Sequence, residues 1–284
     1  MDFINFWQHL PEHTISYIPI FGFNIHFYSL MYVVAYFITL FMLKYKIKKY
    51  GSEINEYYAE KFLNYAFVGV ILGARLGYVL FYNLSYYIQH PLEILLPFKE
   101  NAIGEWVFTG ISGMSFHGGV IGAILAVWYL SRKRNISTLA VYDLFLSVIP
   151  LGYTFGRIGN FLNNELYGRV TTSPIGMYFP TASTQELRHA SQLYEAFFEG
   201  IVLFVILWFL SKKNPPKGTI IGSYLIGYGF FRFCIEYFRE PDAHLGFIFF
   251  EITMGQILCF SMMAIGAMFL LYALKFSKKK IIAE

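Results

Sequence analysis

The sequence predicts an all-α fold: a polytopic membrane protein of about seven transmembrane helices, with its N-terminus outside and its C-terminus cytoplasmic. Three observations carry this prediction: a shortage of charge, apolar runs long enough to cross a bilayer, and basic clusters at alternate connections. Of 284 residues, 56% are hydrophobic, 20% aromatic and 14% charged, and the mean hydropathy is +0.49. A soluble globular chain carries roughly 25% charged residues, so this one could not cover itself with charge in water, and lipid is its natural solvent. The net charge of +4 does not indicate nucleic acid, because the basic residues sit in short clusters between apolar runs rather than on one face.

A span needs about 20 apolar residues, and seven runs qualify: 19–43, 62–83, 113–131, 139–161, 192–211, 218–238 and 249–274. Ahead of the first, Met1-Asp2-Phe3-Ile4 lacks the positive region of a secretory signal, so that run is read as a retained span. The third opens in a Gly-rich segment. In the fourth, Pro150 predicts a kink. Gly118 and Gly122, and Gly152 and Gly156, have the four-residue spacing that lets helix backbones approach closely. No long linker separates the runs, so residues 1–284 are read as a single integral membrane domain without internal repeats. Cys234 and Cys259 lie inside apolar runs with no CxxC pattern, which predicts buried, inert thiols rather than disulfides or zinc ligands.

Orientation follows from lysine and arginine. Fifteen of the 22 lie after spans one, three, five and seven: Lys44, Lys46, Lys48, Lys49 and Lys61, then Arg132 to Arg134, then Lys212, Lys213 and Lys217, then four from Lys275 to Lys280. Only Lys99, Arg169, Arg188 and Arg239 belong to the opposite side.

The remaining three, Arg75, Arg157 and Arg232, fall within spans, where an arginine at the helix centre costs roughly 2.5–3.5 kcal/mol on insertion scales. In the predicted topology all three lie toward the outer side. Asn160, Asn163, Asn164 and Glu165 follow Arg157, and Arg157, Asn160 and Asn164 share one face if the helix continues that far. Arg232, Glu236 and Arg239 form a second stripe, in which Glu236 can hold both arginines and leave one positive charge over. For the Arg232–Glu236 pair the alternative is an ion pair that merely closes the bundle. Guanidinium forks match phosphate oxygens bidentately, so the set implies an anionic-lipid site open to the outer leaflet. His117, in Ser115-Phe116-His117-Gly118-Gly119, opens the third span and is a candidate general base; the alternative is an interfacial histidine that bonds a headgroup. Tyr78, Tyr82 and Tyr228 are candidates for the cavity wall. The other histidines form no HExxH spacing, so no metal is expected.

These blocks resemble the prolipoprotein diacylglyceryl transferase family. The segment from Gly156 through Arg157, Gly159, Asn160, Asn163, Asn164 and Glu165 to Gly168 fits that family's signature at each fixed position. Gly73-Ala74-Arg75-Leu76-Gly77-Tyr78, the His117 block, Ser191-Gln192-Leu193-Tyr194-Glu195, the stretch from Arg232 to Asp242, and Met254-Gly255-Gln256 follow in the family's order. The likeness covers roughly residues 20 to 275. Ala190 stands where the family usually has proline. The resemblance implies an enzyme of the bacterial plasma (inner) membrane that works in lipoprotein biosynthesis. Its substrates would be phosphatidylglycerol and the lipobox cysteine of prolipoprotein signal peptides, and no cofactor is implied. In that family Arg157 and Arg232 match residues regarded as essential, and Glu165, Glu236, Asn160, His117 and Gly168 match others of the functional site. With the reading of the residues above, the candidate catalytic residues are Arg157, Arg232, His117, Glu165 and Glu236, and the candidate substrate-binding residues are Arg157, Asn160, Arg75, Tyr78, Gly168 and Arg239. The residues read without the resemblance leave two rivals: a transporter of an anionic solute, and another phospholipid-headgroup enzyme.

Overall fold

The computed structural model describes residues 3–14, 17–20, 23–96, 98–100, 103–108, 113–240, 247–249 and 252–283. The chain divides into two compact units, Met1–Gly51 with Tyr142–Glu284, and Ser52–Val141.

The first unit opens with a short helix α1, Phe3–Gln8. A hairpin of β1, Tyr17–Ile20, and β2, Phe23–His26, leads into α2, Phe27–Tyr50. The predicted first span therefore starts eight residues late, because Pro19 and Ile20, and the residues from Phe23 to His26, are paired as strands. It also runs on through Lys44 to Lys49, which the sequence placed in a solvated connection. Thr39, Leu43 and Lys46 are the buried face of α2, at i, i+4 and i+7, while Val33, Phe37 and Phe41 stand exposed on it, where lipid suits them.

In the second unit, α3, Glu56–Tyr82, starts at Asn55, whose Oδ1 accepts from the Tyr58 amide at 2.9 Å; this satisfies one of the free donors of the first turn. A short α4, Leu84–Gln89, and a hairpin of β3, Phe98–Glu100, with β4, Trp106–Phe108, lead to α5, Phe116–Arg134. Gly69, Gly73 and Gly77 on α3 face Gly118 and Gly122 on α5 so closely that a Cβ at Gly73 or Gly122 would strike the facing backbone. The predicted packing role of Gly118 and Gly122 is thus realised between these two helices. At the end of α5 Asn135 takes the left-handed conformation (φ 53°), and the Ile136 and Asn135 amides close on Ser131 O and Arg132 O. That is a Schellman cap with asparagine in place of glycine.

Helix α6, Thr138–Leu146, and α7, Ile149–Leu162, meet at a bend of 49°, the geometry of a broken span or of a re-entrant loop. The bend precedes Pro150, which sits in the first turn of α7, where its missing N–H leaves no intrahelical bond unmade. Gly152 packs on Thr39 and Ala35 of α2, but Gly156 has open space around it, so only the first of that predicted pair serves close packing. After α7 the chain runs without a regular helix to Ala190, held by bridges between Val170 and Arg188 and between Met177 and Arg188. Phe161, Met177, Phe179 and Ala190 form its core, covered in part by Trp7 and Leu10. Trp7 Nε1 donates to Ile175 O at 3.1 Å. Ala190 itself has φ −78°, a value proline would also hold.

Helix α8, Ser191–Ser211, contains a π-helical turn over Ala196–Val202. Then come α9, Thr219–Ile235, a short pair of β5, Phe247–Phe249, with β6, Ile252–Thr253, and α10, Met254–Ala283. Among the described residues, helices α2, α3, α8 and α10 are each long and apolar enough to cross a membrane, and the bent pair makes a fifth where it counts as one span. Helix α9, at 17 residues, is shorter, and α5 closes on Arg132, Lys133 and Arg134. A helix thus occupies each of the seven predicted runs.

At one end of the first unit, Lys46 is buried. Its ammonium donates to Ser147 Oγ (2.6 Å) and Ser211 Oγ (2.7 Å). Each hydroxyl already donates to a carbonyl three residues earlier, so both present lone pairs to the cation. Beside it the Asp143 carboxylate accepts from the amides of Gly218 and Ile221 (2.6 and 2.9 Å) and caps α9 from outside. Cys259 is buried as expected, but Cys234 is exposed, on a part of α9 that the sequence read as interior.

Candidate active site

Glu195, in the first turns of α8, is fully buried and receives three guanidinium groups. Arg157 Nε lies 2.6 Å from its Oε2, while Arg232 Nη1 and Arg239 Nη1 lie 3.2 and 2.9 Å from its Oε1. Glu236 takes the second side of the α9 pair: Arg232 Nη2 is 2.9 Å from its Oε2, and Arg239 Nε is 3.7 Å from the same oxygen. Spacing alone predicts that Glu236 holds both Arg232 and Arg239. It holds both, yet Glu195 is the acid that also brings in Arg157 from another helix.

Glu236 is positioned in turn by the start of α10. Thr253 Oγ1 donates to Glu236 Oε1 at 3.0 Å. The Thr253 amide donates to Gln256 Oε1 and the Gln256 amide to Thr253 Oγ1, the reciprocal arrangement of a capping box. Between them Gly255 leaves room for the carboxylate, which a Cβ there would strike. The Met254-Gly255-Gln256 block therefore acts by seating Glu236.

Helix α7 does not continue to Asn164. It ends at Leu162, and Asn164 is left-handed (φ 55°). The Glu165 amide reaches back to Asn160 O (3.1 Å) and the Asn164 amide to Phe161 O (3.0 Å), a second Schellman cap on asparagine. This turn brings Glu165 back over the helix end, where its Oε1 accepts from Asn160 Nδ2 at 2.7 Å. Asn160 Oδ1 accepts from Arg157 Nη1 at 3.2 Å, so Arg157, Asn160 and Glu165 form one chain of bonds. Asn164 points elsewhere, donating to Thr14 Oγ1.

Gly168 serves through its lack of a side chain. It bridges to Arg239, its amide donates to His189 O at 2.8 Å, and a Cβ would collide with Phe238 O and His189. Arg169 adds a clamp from Nε to Arg239 O at 2.6 Å. His189 packs between Tyr194 and Phe238, and that burial holds its imidazole below the ordinary histidine range.

Arg157, Asn160, Glu165, Gly168, Arg232, Glu236 and Arg239 are thus brought together in the first unit. Arg75, Tyr78 and His117 belong to the second. Arg75 donates to Ile94 O (2.8 Å), Glu93 O (2.6 Å) and Gly113 O (3.4 Å) and lies over the Tyr87 ring. Tyr78 stacks on Tyr82 and packs under Gly113. His117 is exposed in the first turn of α5, edge-on to Phe116. Tyr228 stands in the first unit, edge-on to Tyr153. Sequence reasoning gave no role to Glu195, Glu199 or Tyr153. The signal was present: two acids one turn apart in an apolar run carry the same insertion cost that singled out the arginines.

Three guanidinium groups against two contacting carboxylates leave the cluster one positive charge. Among the described residues Arg157 Nη2 meets no partner, so part of one fork remains for an anion. Guanidinium forks held between buried acids in an apolar helical protein have the geometry that matches phosphate oxygens bidentately. The family model for prolipoprotein diacylglyceryl transferase matches residues 16–272, and the chain belongs to that family. It is 52% identical over 94% of its length to the phosphatidylglycerol–prolipoprotein diacylglyceryl transferase of Chlorobaculum tepidum, covering 92% of that protein. It is 42% identical over 98% of its length to the enzyme of the same name from Campylobacter jejuni, covering all of it. With the Pseudoalteromonas translucida enzyme it shares 44% identity over 90% of its length and 91% of the relative's.

Proposed function

We propose that this chain transfers the diacylglyceryl group of phosphatidylglycerol to the lipobox cysteine of prolipoproteins, the first step of lipoprotein maturation. The cysteine sulfur attacks the glyceryl carbon, a carbon–sulfur bond forms, the carbon–oxygen bond to phosphate breaks, and glycerol phosphate leaves. The thiol proton passes to a base. The observation that carries this reading is the convergence of Arg157, Arg232 and Arg239 on Glu195, together with family membership. Negative charge develops on the leaving phosphate, and donors fixed in advance stabilise it without reorganising.

In this reading Arg157 and Arg232 stabilise the leaving group, while Glu236 and Glu165 set the forks through the bonds described. Asn160, Arg239 and Gly168 shape the lipid site. His117, as a candidate general base, takes the thiol proton, and Arg75 and Tyr78 have a part in substrate binding; the three carbonyls that Arg75 holds give it a bracing share in that part. The chain would lie in the bacterial plasma membrane with the arginine cluster toward the outer leaflet. Glu195 and Ser211 are 16 residues apart on α8, about 24 Å of helix, so the arginine cluster and the Lys46 network stand at opposite ends of one span. Lys49 and Lys212, which both lie over the Tyr50 ring, share the Lys46 end, as a cytoplasmic face requires.

Purified enzyme reconstituted with phosphatidylglycerol and a lipobox peptide tests the reading. Thioether product with release of glycerol phosphate supports it. Solute flux would favour a transporter instead, and headgroup exchange without peptide a different lipid enzyme.

A further inference from the structure

Below the arginine cluster lies a contact that the proposed chemistry does not use. Tyr153 precedes Arg157 by one turn of α7, and the Arg157 guanidinium lies over its ring, 4.9 Å from the centroid. Arg157 Nε donates to Tyr153 Oη at 2.6 Å. The hydroxyl's own proton is directed at Glu199 Oε2, 2.5 Å away, with Glu195 Oε2 farther off at 3.3 Å. Glu199 follows Glu195 by four residues, through the π turn. It is 1% exposed, and its Oε1 is buried without a hydrogen-bond partner among the described residues. Among them it also has no cation within ion-pair distance, so the tyrosine hydroxyl is its short polar contact.

A carboxylate in such a place is a poor stabiliser, because an apolar side chain of similar size would pack there without a desolvation cost. Its contact runs through Tyr153 to the guanidinium whose Nη2 donates no hydrogen bond among the described residues. We propose that Tyr153 and Glu199 are a positioning pair: Glu199 fixes the direction of the tyrosine hydroxyl, and the hydroxyl fixes the rotation of the Arg157 fork so that Nη2 keeps one aim toward the phosphate. The inference rests on the transferase reading above and adds two residues that act through Arg157. Arg157 Nε also faces Glu195, so loss of the hydroxyl leaves the cation paired but free to turn about that contact. Neither residue needs to touch the lipid.

The test is a set of purified variants measured for kcat, for KM toward phosphatidylglycerol, and for melting in detergent. Tyr153→Phe keeps the ring under Arg157 and removes the hydroxyl; Glu199→Leu removes the acceptor. Each should lower kcat about tenfold, the scale of one hydrogen bond to a charged group, with KM changed far less. The double variant should be no worse than either single one, since both act through the same guanidinium. Glu199→Gln, whose carbonyl still accepts from the hydroxyl, should recover part of the loss seen in Glu199→Leu. Tyr153→Phe should add nothing in an Arg157→Lys background. A folded Tyr153→Phe enzyme with wild-type kcat overturns the inference, as do losses that multiply in the double variant. Should Tyr153→Phe not fold, the comparison of Glu199→Gln with Glu199→Leu decides, and equal losses in the two overturn it. Wild-type enzyme that forms no thioether overturns the functional reading itself, a result distinct from a failure of this pair.

Discussion

Glu195→Gln is the most informative single change. The glutamine is isosteric and keeps one carbonyl oxygen, so the space is filled and only charge and acceptor capacity are lost. Three guanidinium groups lie within 3.2 Å of the carboxylate, and its side chain is 1% exposed. Removing one partner of a buried ion pair costs about 3–5 kcal/mol, because the other charge stays behind uncompensated. Here Arg232 and Arg239 retain Glu236, whereas Arg157 has no second carboxylate in contact among the described residues, so the loss falls chiefly on Arg157. The expected cost is therefore one such pair rather than three, a fall in melting temperature on the order of 10 °C for a chain of this size. Turnover per folded molecule should fall about 100-fold or more, the scale for a misplaced oxyanion donor. Glu236→Gln should destabilise less, since both of its arginines keep Glu195. Melting in detergent, paired with thioether formation by the fraction that remains folded, reads both quantities. A Glu195→Gln protein that melts within about 2 °C of wild type and turns over normally would refute the idea that this acid organises the cluster.

Other expectations follow from the same geometry. Arg157→Lys should lose about 100-fold in turnover, nearly as much as Arg157→Ala, because an ammonium cannot bond Tyr153, Asn160 and a phosphate at fixed angles; near-normal rates in the lysine variant would show that charge alone suffices. His117→Gln should lower turnover about 100-fold if this residue takes the thiol proton, and tolerance of glutamine would place the base elsewhere. Thr172→Cys, in a chain with both native cysteines replaced, should react with an impermeant thiol reagent from outside the cell and not from the cytoplasm; the reverse pattern would invert the orientation. Ala190→Pro should stabilise by about 0.4–1 kcal/mol, because its φ already suits proline and its amide donates to nothing among the described residues, and a lower melting point would contradict that.

The arginines were legible in the sequence because a guanidinium in an apolar run is too costly to be accidental. Glu195 and Glu199 obeyed the same logic, but their run was read for its length and its match to a family block, not for its acids. Lys46 was misplaced for a different reason. A lysine near a helix end ordinarily snorkels to water, and what keeps this one inside is a pair of hydroxyls 101 and 165 residues away, beyond any local pattern. The start of α2 failed on period: short apolar runs fit a strand or a helix equally well, and the described residues that precede α2 in the predicted span pair as strands. Asn160 and Glu165 were named as site residues, yet their direct bond depends on a reversal at Asn164 that helical spacing does not foresee.

The π turn in α8 has a consequence for how this site tolerates change in chain length. Bonding from i to i+5 gives the turn one residue more than an α-helix would use for nearly the same rotation, so the extra residue is absorbed while the two halves of the helix keep their phase. Below it, Leu203 and Leu207 face the apolar core with Ile220; above it, Glu195 faces the arginines. Deleting a single residue between Ala196 and Val202 would let the turn close as ordinary α-helix with both faces still in place. The same deletion in the regular helix beyond, between Leu203 and Leu207, has no such slack to draw on. It would swing Leu207 against Glu195 by about 100°, so that either the leucine leaves its core or the glutamate leaves its three cations. The irregular turn therefore holds a spare residue, a reserve of chain length that can be lost without changing the charge of the site.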